Sequence, residues 1–248
     1  LGVVILHSAG NLLSDRYDFL KGVDSERAFA VPNLVFHKFE PNEYMKASII
    51  LFVVGILIGV AVTLMSGPML LVIGGIGVVL TALYSFLKYR ALGDLDIFII
   101  FGVLTVLGTA YAVTGEIVPQ ALVLSLPIGL ITVSVLHANN TLDIPTDKAA
   151  GIKTFAMLLG GKASVVLYRI YMMLPFLCVI AAVCLGKLHP LSLLCLLAAV
   201  PAWKNFSKAG QFATLGTETM NGLDQGSAQL QMVFSGLLSI GLFISAVL

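Results

Sequence analysis

Apolar positions in this chain come in long uninterrupted runs. Residues 45–66, 68–87, 97–113, 118–138, 164–185 and 230–248 are nearly continuous stretches of Leu, Ile, Val, Ala, Phe and Gly, each 17 to 22 residues long. A helix rises 1.5 Å per residue, so about 20 such residues cross the ~30 Å hydrocarbon core of a bilayer. The pattern therefore predicts transmembrane helices. A shorter run at 190–203 and an apolar opening at 1–9 complete a set of eight predicted spans, the first of them clipped. The chain starts at Leu1 with neither Met nor a charged leader, so its opening reads as the last turns of a helix begun earlier. The expectation is one N-terminally truncated transmembrane domain over 1–248.

The polar connectors alternate in length. Long ones fall at 10–44, 88–96, 139–163 and 204–229, and short ones at 67, 114–117 and 186–189. That alternation puts every long connector on one face of the membrane. Basic residues follow it: 13 of the 14 Lys+Arg lie on or beside the long connectors, Lys187 being the exception. The positive-inside bias then assigns this face to the cytoplasm, and a bacterial plasma (inner) membrane is the expected location. Acidic residues partition the same way except for Glu116, although acids contribute little to orientation. Their clustering needs another cause.

Composition agrees with the spans. The chain is 58% hydrophobic with a mean hydropathy of +1.01 and only 11% charged, against about a quarter in soluble domains, which excludes a soluble globular enzyme. A net charge of +1 without a basic tail gives no reason to expect a nucleic-acid partner, and no protein partner is implied. Cys178, Cys184 and Cys195 lie in apolar stretches without metal-ligand spacing and read as small buried hydrophobes.

Two of the long connectors open on the same pattern. Asn11, Asp15, Asp18, Gly22 and Asp24 in the first align with Asn139, Asp143, Asp147, Gly151 and Lys153 in the third, at an offset of 128 before a one-residue insertion and 129 after it. Helical spacing would place Asn and both Asp on one face in each copy, at the mouth of a span. Like charges stacked this way repel unless a cation lies between them. Hard oxygen ligands in such pairs suit Mg²⁺, which takes one or two carboxylates plus waters and phosphate oxygens. Two clusters suit a diphosphate held from both sides, with Lys21, Arg27, Lys148 and Lys153 neutralising its remaining charge.

These two segments resemble the paired aspartate-rich motifs of the UbiA superfamily of intramembrane prenyltransferases. Tyr84, Lys88-Tyr89-Arg90 and Leu92-Gly93-Asp94 look like the segment between those motifs, and Leu223-Asp224 through Leu230-Gln231 like the stretch before the last helix. The resemblance covers the whole chain and is closest to the branch that prenylates 1,4-dihydroxy-2-naphthoate in menaquinone synthesis. Two departures are Asp94, where Glu is expected, and Arg16, where an aromatic commonly follows the first Asp. The resemblance implies an all-α bundle of nine helices around a central chamber, a polyprenyl diphosphate donor, an aromatic acceptor, and Mg²⁺. It implies Asp15, Asp18, Asp143 and Asp147 as metal ligands, with Asp24 as a weaker acidic member that orients a base or a metal-bound water. Asn11 and Asn140 would support the ligands. Lys153 would be the foremost diphosphate contact, followed by Lys21, Arg27, Lys88, Arg90 and Lys148.

Ionising an allylic diphosphate leaves a carbocation that water would quench, so a dry chamber with aromatic faces is needed. Tyr17, Tyr84 and Tyr89 are its candidate walls. In the naphthoate branch the electron-rich ring attacks the cation and loses its carboxylate, giving demethylmenaquinone. Other acceptors compatible with the same chemistry are 4-hydroxybenzoate, homogentisate and a glycerol-phosphate lipid. A divalent-cation transporter is the competing class, but it would require polar stepping stones inside the spans, which are nearly bare of them. His7 and His137 read as helix-packing histidines before they read as bases. The glycines of Gly74-Gly75-Ile-Gly77 and Gly55-x3-Gly59 read as helix contacts.

Overall fold

A computed structural model of the chain describes residues 1–22 and 32–248. Among these the fold is all-helical. The long helices are α1 (Gly2–Leu20), α2 (Pro41–Ser66), α3 (Met69–Lys88), α4 (Gly93–Thr114), α5 (Pro119–Leu142), α6 (Gly161–Cys184), α7, which is a 3₁₀ segment (Pro190–Ala198) running into an α-helix (Ala199–Ala209), and α8 (Leu223–Val247), with short helical turns between them. Every predicted span coincides with one of them. Six helices, α2 to α6 and α8, are long and apolar enough to cross a membrane, two fewer than the eight expected. The other two differ for physical reasons: α1 carries Asp15, Arg16 and Asp18 in its second half, and α7 begins with a 3₁₀ segment, whose 11-residue α continuation ends polar.

Proline at the N-termini of α2 and α5 sits where its missing N–H costs nothing. A reciprocal capping box of Glu40 and Glu43 starts α2. Helix α5 is the most buried and packs against α4, α6 and α8, while α1 lies between α2 and α3. The crossing of α4 and α5 depends on two glycines. A Cβ on Gly102 would come within 2.7 Å of the Gly129 Cα, so only hydrogen at both positions lets these backbones touch. Here α4 widens into a π-helical segment, Phe98–Leu104.

Contacts divide the molecule into two ends. Ser66 Oγ donates to the Ala112 carbonyl at 2.6 Å and joins the ends of α2 and α4 at one pole. The ends of α1, α3 and α5 and the start of α6 meet at the other, through the contacts described below. The long connectors thus share one face, as their alternation predicts.

Candidate functional site

The first motif is a continuous helix. Asn11 is exposed on α1, and Asp15 and Asp18 are half-buried one and two turns further on. The second motif is not continuous: α5 ends at Leu142, Asp143 caps it, and a short helix Ile144–Ala149 begins with Pro145 in its first turn. This corrects the expectation of one helical face in both copies. The inserted residue and the proline re-aim the chain, so that Asn139 and Asp143 are exposed whereas Asn140 and Asp147 are buried. The repeat closes identically in both copies. Gly22 and Gly151 both have φ +71°, and each N–H donates back three residues, to Phe19 and Lys148. That left-handed stop is what glycine at this position supplies.

Lys88, at the end of α3, stands between the clusters. Its Nζ donates to Asp18 Oδ2 at 3.1 Å, and both side chains are largely buried. The hydroxyl of Tyr89 donates to Asp18 Oδ1. The charge of Lys88 is also felt at Asp15, Asp143 and Asp147, which draws the two motifs into one electrostatic unit. Burial pushes the Asp147 carboxyl up to about 6, with Lys88 opposing and Asp143 adding to the rise. Asp15, beyond the apolar part of α1, is likewise raised to about 6 by burial and by Asp18 against the pull of Lys88. These carboxylates are short of positive charge.

The segment after α3 ties this arrangement to the second motif. The Ala91 N–H donates to the Lys153 carbonyl at 3.0 Å, and Arg90 pairs with Lys153 in an isolated parallel bridge. Further on, Asp94 Oδ2 lies 2.6 Å from His137 Nδ1 on α5. This helix-packing role for His137 is the one favoured in the sequence. His7 packs edge-on to Phe101, 5.0 Å between ring centroids.

The remaining candidates are distributed unevenly. Among the described residues the Lys and Arg ion pairs come down to Lys88–Asp18, so Lys21, Lys148 and Lys153 lie on the exposed rim without one. The Arg90 guanidinium stacks 3.5 Å over the Phe86 ring, and its link to the second motif is through the backbone. Tyr84 is half-buried, and its hydroxyl lies in the field of Lys88, Asp18, Asp96 and Asp94. Tyr17 is 41% exposed on α1. Asp24 and Arg27 lie outside the described residues.

Two acids outside the candidate set also reach this end. Asp224, at the start of α8, raises Asp143 through its charge. Asp96 is buried with neither oxygen hydrogen-bonded, and Asp94 Oδ1 is also unpartnered. An acid three residues past Gly93, on the same side of the membrane as both motifs, was the signal available for Asp96.

Among the described residues no three His, Cys, Asp or Glu side chains come together as a metal cage. The donor set nevertheless fits a divalent cation that keeps its waters and a substrate's phosphate oxygens, because such an ion needs only one or two carboxylates. Asp15 with Asp18, and Asp143 with Asp147, are pairs of that kind. The buried, unpartnered Nδ2 of Asn140 adds a donor suited to an anionic oxygen beside them.

A family model described as the UbiA prenyltransferase family matches residues 1–210. UbiA prenyltransferase domain-containing protein 1 of Ailuropoda melanoleuca is 34% identical, over 99% of this chain and 72% of its own length. The protein of the same description from Homo sapiens is 32% identical over the same shares. A solved structure of digeranylgeranylglyceryl phosphate synthase superposes with a TM-score of 0.65 at 19% identity, covering 97% of this chain and 84% of that one, which shows a shared fold.

Proposed function

Because the chain belongs to the UbiA prenyltransferase family, an enzyme family of transferases, we propose that it moves a polyprenyl group from its diphosphate to 1,4-dihydroxy-2-naphthoate, with Mg²⁺, yielding demethylmenaquinone in its quinol form. The observation that carries the diphosphate part is Lys88 standing between two Asn/Asp motifs, close to Asp18 and within the field of Asp15, Asp143 and Asp147. The naphthoate acceptor rests on the sequence segments around Tyr84, Lys88 and Leu223.

The chemistry to be served is departure of diphosphate from an allylic carbon. Mg²⁺, when bound by Asp15, Asp18, Asp143 and Asp147, supplies charge that neutralises the leaving group. Lys88 supplies a fixed positive charge from the chain itself, and Asn140 Nδ2 a buried donor that the free protein leaves unused. Lys153, Lys148 and Lys21 on the rim attract the anionic substrate before it docks. The allylic cation is then attacked by the electron-rich ring carbon bearing the carboxylate; CO₂ leaves, and its bonding electrons restore the aromatic ring. The apolar faces of the helices keep water out while the cation exists. Tyr89, hydrogen-bonded through its hydroxyl to Asp18, and Tyr84, in the field of Lys88, supply the aromatic faces of the site.

The enzyme is an integral membrane protein. The curated relatives reported above are animal proteins, and they lend no support to the bacterial plasma membrane expected from sequence. The cytoplasmic orientation rests on the basic bias of the long connectors. The test is transfer of a labelled polyprenyl group to a panel of acceptors: 1,4-dihydroxy-2-naphthoate, 4-hydroxybenzoate, homogentisate and a glycerol-phosphate lipid, with Mg²⁺ or EDTA. Product with the naphthoate alone supports the full proposal, and product with another acceptor overturns that acceptor. Product in EDTA overturns the metal, and Mg²⁺ flux in proteoliposomes without substrate would favour transport instead.

A further inference from the structure

We propose that Asp94 and His137 form a positioning pair that fixes the spacing between the two carboxylate clusters. This rests on the reading of both clusters as one diphosphate site.

Residues 88–94 act as a strut with a contact at each end. At the first end Lys88 Nζ, 3.1 Å from Asp18, and the Tyr89 hydroxyl hold the first motif. Midway, the Ala91 N–H donates to the Lys153 carbonyl at 3.0 Å. At the far end Asp94 Oδ2 is 2.6 Å from His137 Nδ1, one turn before Asn140 and six residues before Asp143. Asp94 is therefore placed to transmit the position of Asp18 to the helix that carries the second motif.

The His137 end is unusually well anchored. The ring has no exposed surface, and its Nε2 is 3.0 Å from the Ser164 carbonyl oxygen and 2.9 Å from Ser164 Oγ. Thr141 Oγ1 donates to the His137 carbonyl at 2.6 Å and lies 2.5 Å from Ser164 Oγ. Nδ1 thus faces Asp94 while Nε2 faces both the carbonyl and the hydroxyl of Ser164, so the ring is held from two sides. Tyr171 and Phe155 cover the ring at centroid distances of 5.5 and 6.3 Å. No substrate reaches such a ring, so His137 is a positioning residue and acts through α5.

The strut also holds a strained residue. Ala91 has φ +61°, a left-handed conformation that a residue with a Cβ adopts only when its surroundings enforce it. The Lys153 pairing on one side and the Asp94–His137 contact three residues later supply that enforcement.

The test is a distance. Spin labels at Leu20 and Ala149, both exposed and outside the proposed ligand sets, report the separation of the motif ends by pulsed electron resonance. The sample is the full chain in nanodiscs, with its three cysteines replaced and neither Mg²⁺ nor substrate present. The parent gives one narrow distribution. Asp94→Ala and His137→Ala broaden or shift it by several ångströms, and prenyl transfer falls about 10- to 100-fold, the range typical of lost supporting contacts. Asp94→Asn, which keeps an acceptor oxygen for Nδ1, restores the narrow distribution and most of the activity. Parent-like distributions in both Ala variants overturn the proposal, as does equal damage from Asn and Ala. If the Ala variants do not fold, His137→Gln, too short to span Asp94 and Ser164 together, carries the same measurement. Should the parent transfer no prenyl group, the enzymatic reading fails while the distances still judge the pair.

Discussion

Replacing Lys88 by Met removes the one cation paired with the motif carboxylates among the described residues. At 3.1 Å from Asp18, the Lys88 charge attracts it by about 5 kcal/mol at an effective dielectric constant of about 20. The largely buried side chains make the cost of breaking the pair exceed that of losing an exposed one, and removing one partner of a buried pair typically costs 3–5 kcal/mol. The two figures agree, because the lone Asp18 is left beside Asp15, which its charge already raises. For a chain of this size about 2–4 °C accompanies each kcal/mol, so metal-free Lys88→Met should melt roughly 10 °C below the parent in detergent. Mg²⁺ should then stabilise the variant more than the parent, since the ion no longer competes with an ammonium for Asp18. Turnover should nevertheless stay about 10²- to 10³-fold low, because a fixed charge on the leaving diphosphate is gone. Thermal unfolding in EDTA and in a Mg²⁺ series, alongside prenyl transfer, checks all three. A melting point within about 2 °C of the parent in EDTA would refute the central place given to Lys88, and so would an unchanged Mg²⁺ increment.

Asp15→Ala and Asp143→Ala should abolish transfer while the protein inserts and folds; activity within about threefold of the parent in either would remove that residue from the ligand set. The metal-free protein should lose stability as pH rises from about 4 to about 6.5. Asp15 and Asp147 are raised to about 6 in the fold, so over this window the unfolded chain releases protons that the native state retains, and folding is penalised once both states ionise. Melting scans in EDTA should show the fall, and Asp147→Asn should flatten it; a rise with pH would contradict the burial argument. Asp96→Leu should raise the melting point, because a buried carboxylate with no hydrogen-bond partner costs about 1–3 kcal/mol; a lower melting point would mean that Asp96 has a partner in the membrane. Gly151→Ala should cost about 1 kcal/mol from its left-handed φ alone, since nothing lies near enough for a Cβ to strike; a loss of several kcal/mol by thermal unfolding would point to a steric role instead.

The spans were legible because bilayer thickness and the need to satisfy every backbone group leave only long apolar helices as solutions. The exceptions are α1 and α7, where polarity or 3₁₀ geometry enters the element itself. The repeated Asn, Asp and Gly positions were legible for a similar reason: a helix face and a left-handed stop are local properties, and Gly22 and Gly151 have the same φ. What sequence spacing does not carry is which side chains from separate helices meet. Lys153, a position of the second motif itself, contributes a backbone carbonyl to Ala91 and leaves its ammonium on the rim, while Lys88, midway between the motifs, pairs with Asp18. Proximity in sequence favoured the first, and the packing of α3 against α1 selects the second. Tyr17 neighbours Asp18 in the chain, yet helix geometry sets the two side chains about a hundred degrees apart around α1. The break at Pro145 is the intermediate case. A proline one residue past the start of the short helix signals a new segment, and the single insertion between the repeats marks the same place, so those two signals taken together predict that the second cluster is bent where the first is straight. Two clusters of unlike shape that share the field of Lys88 suit an asymmetric ligand, a diphosphate esterified at one end, better than they would suit a bare symmetric ion path.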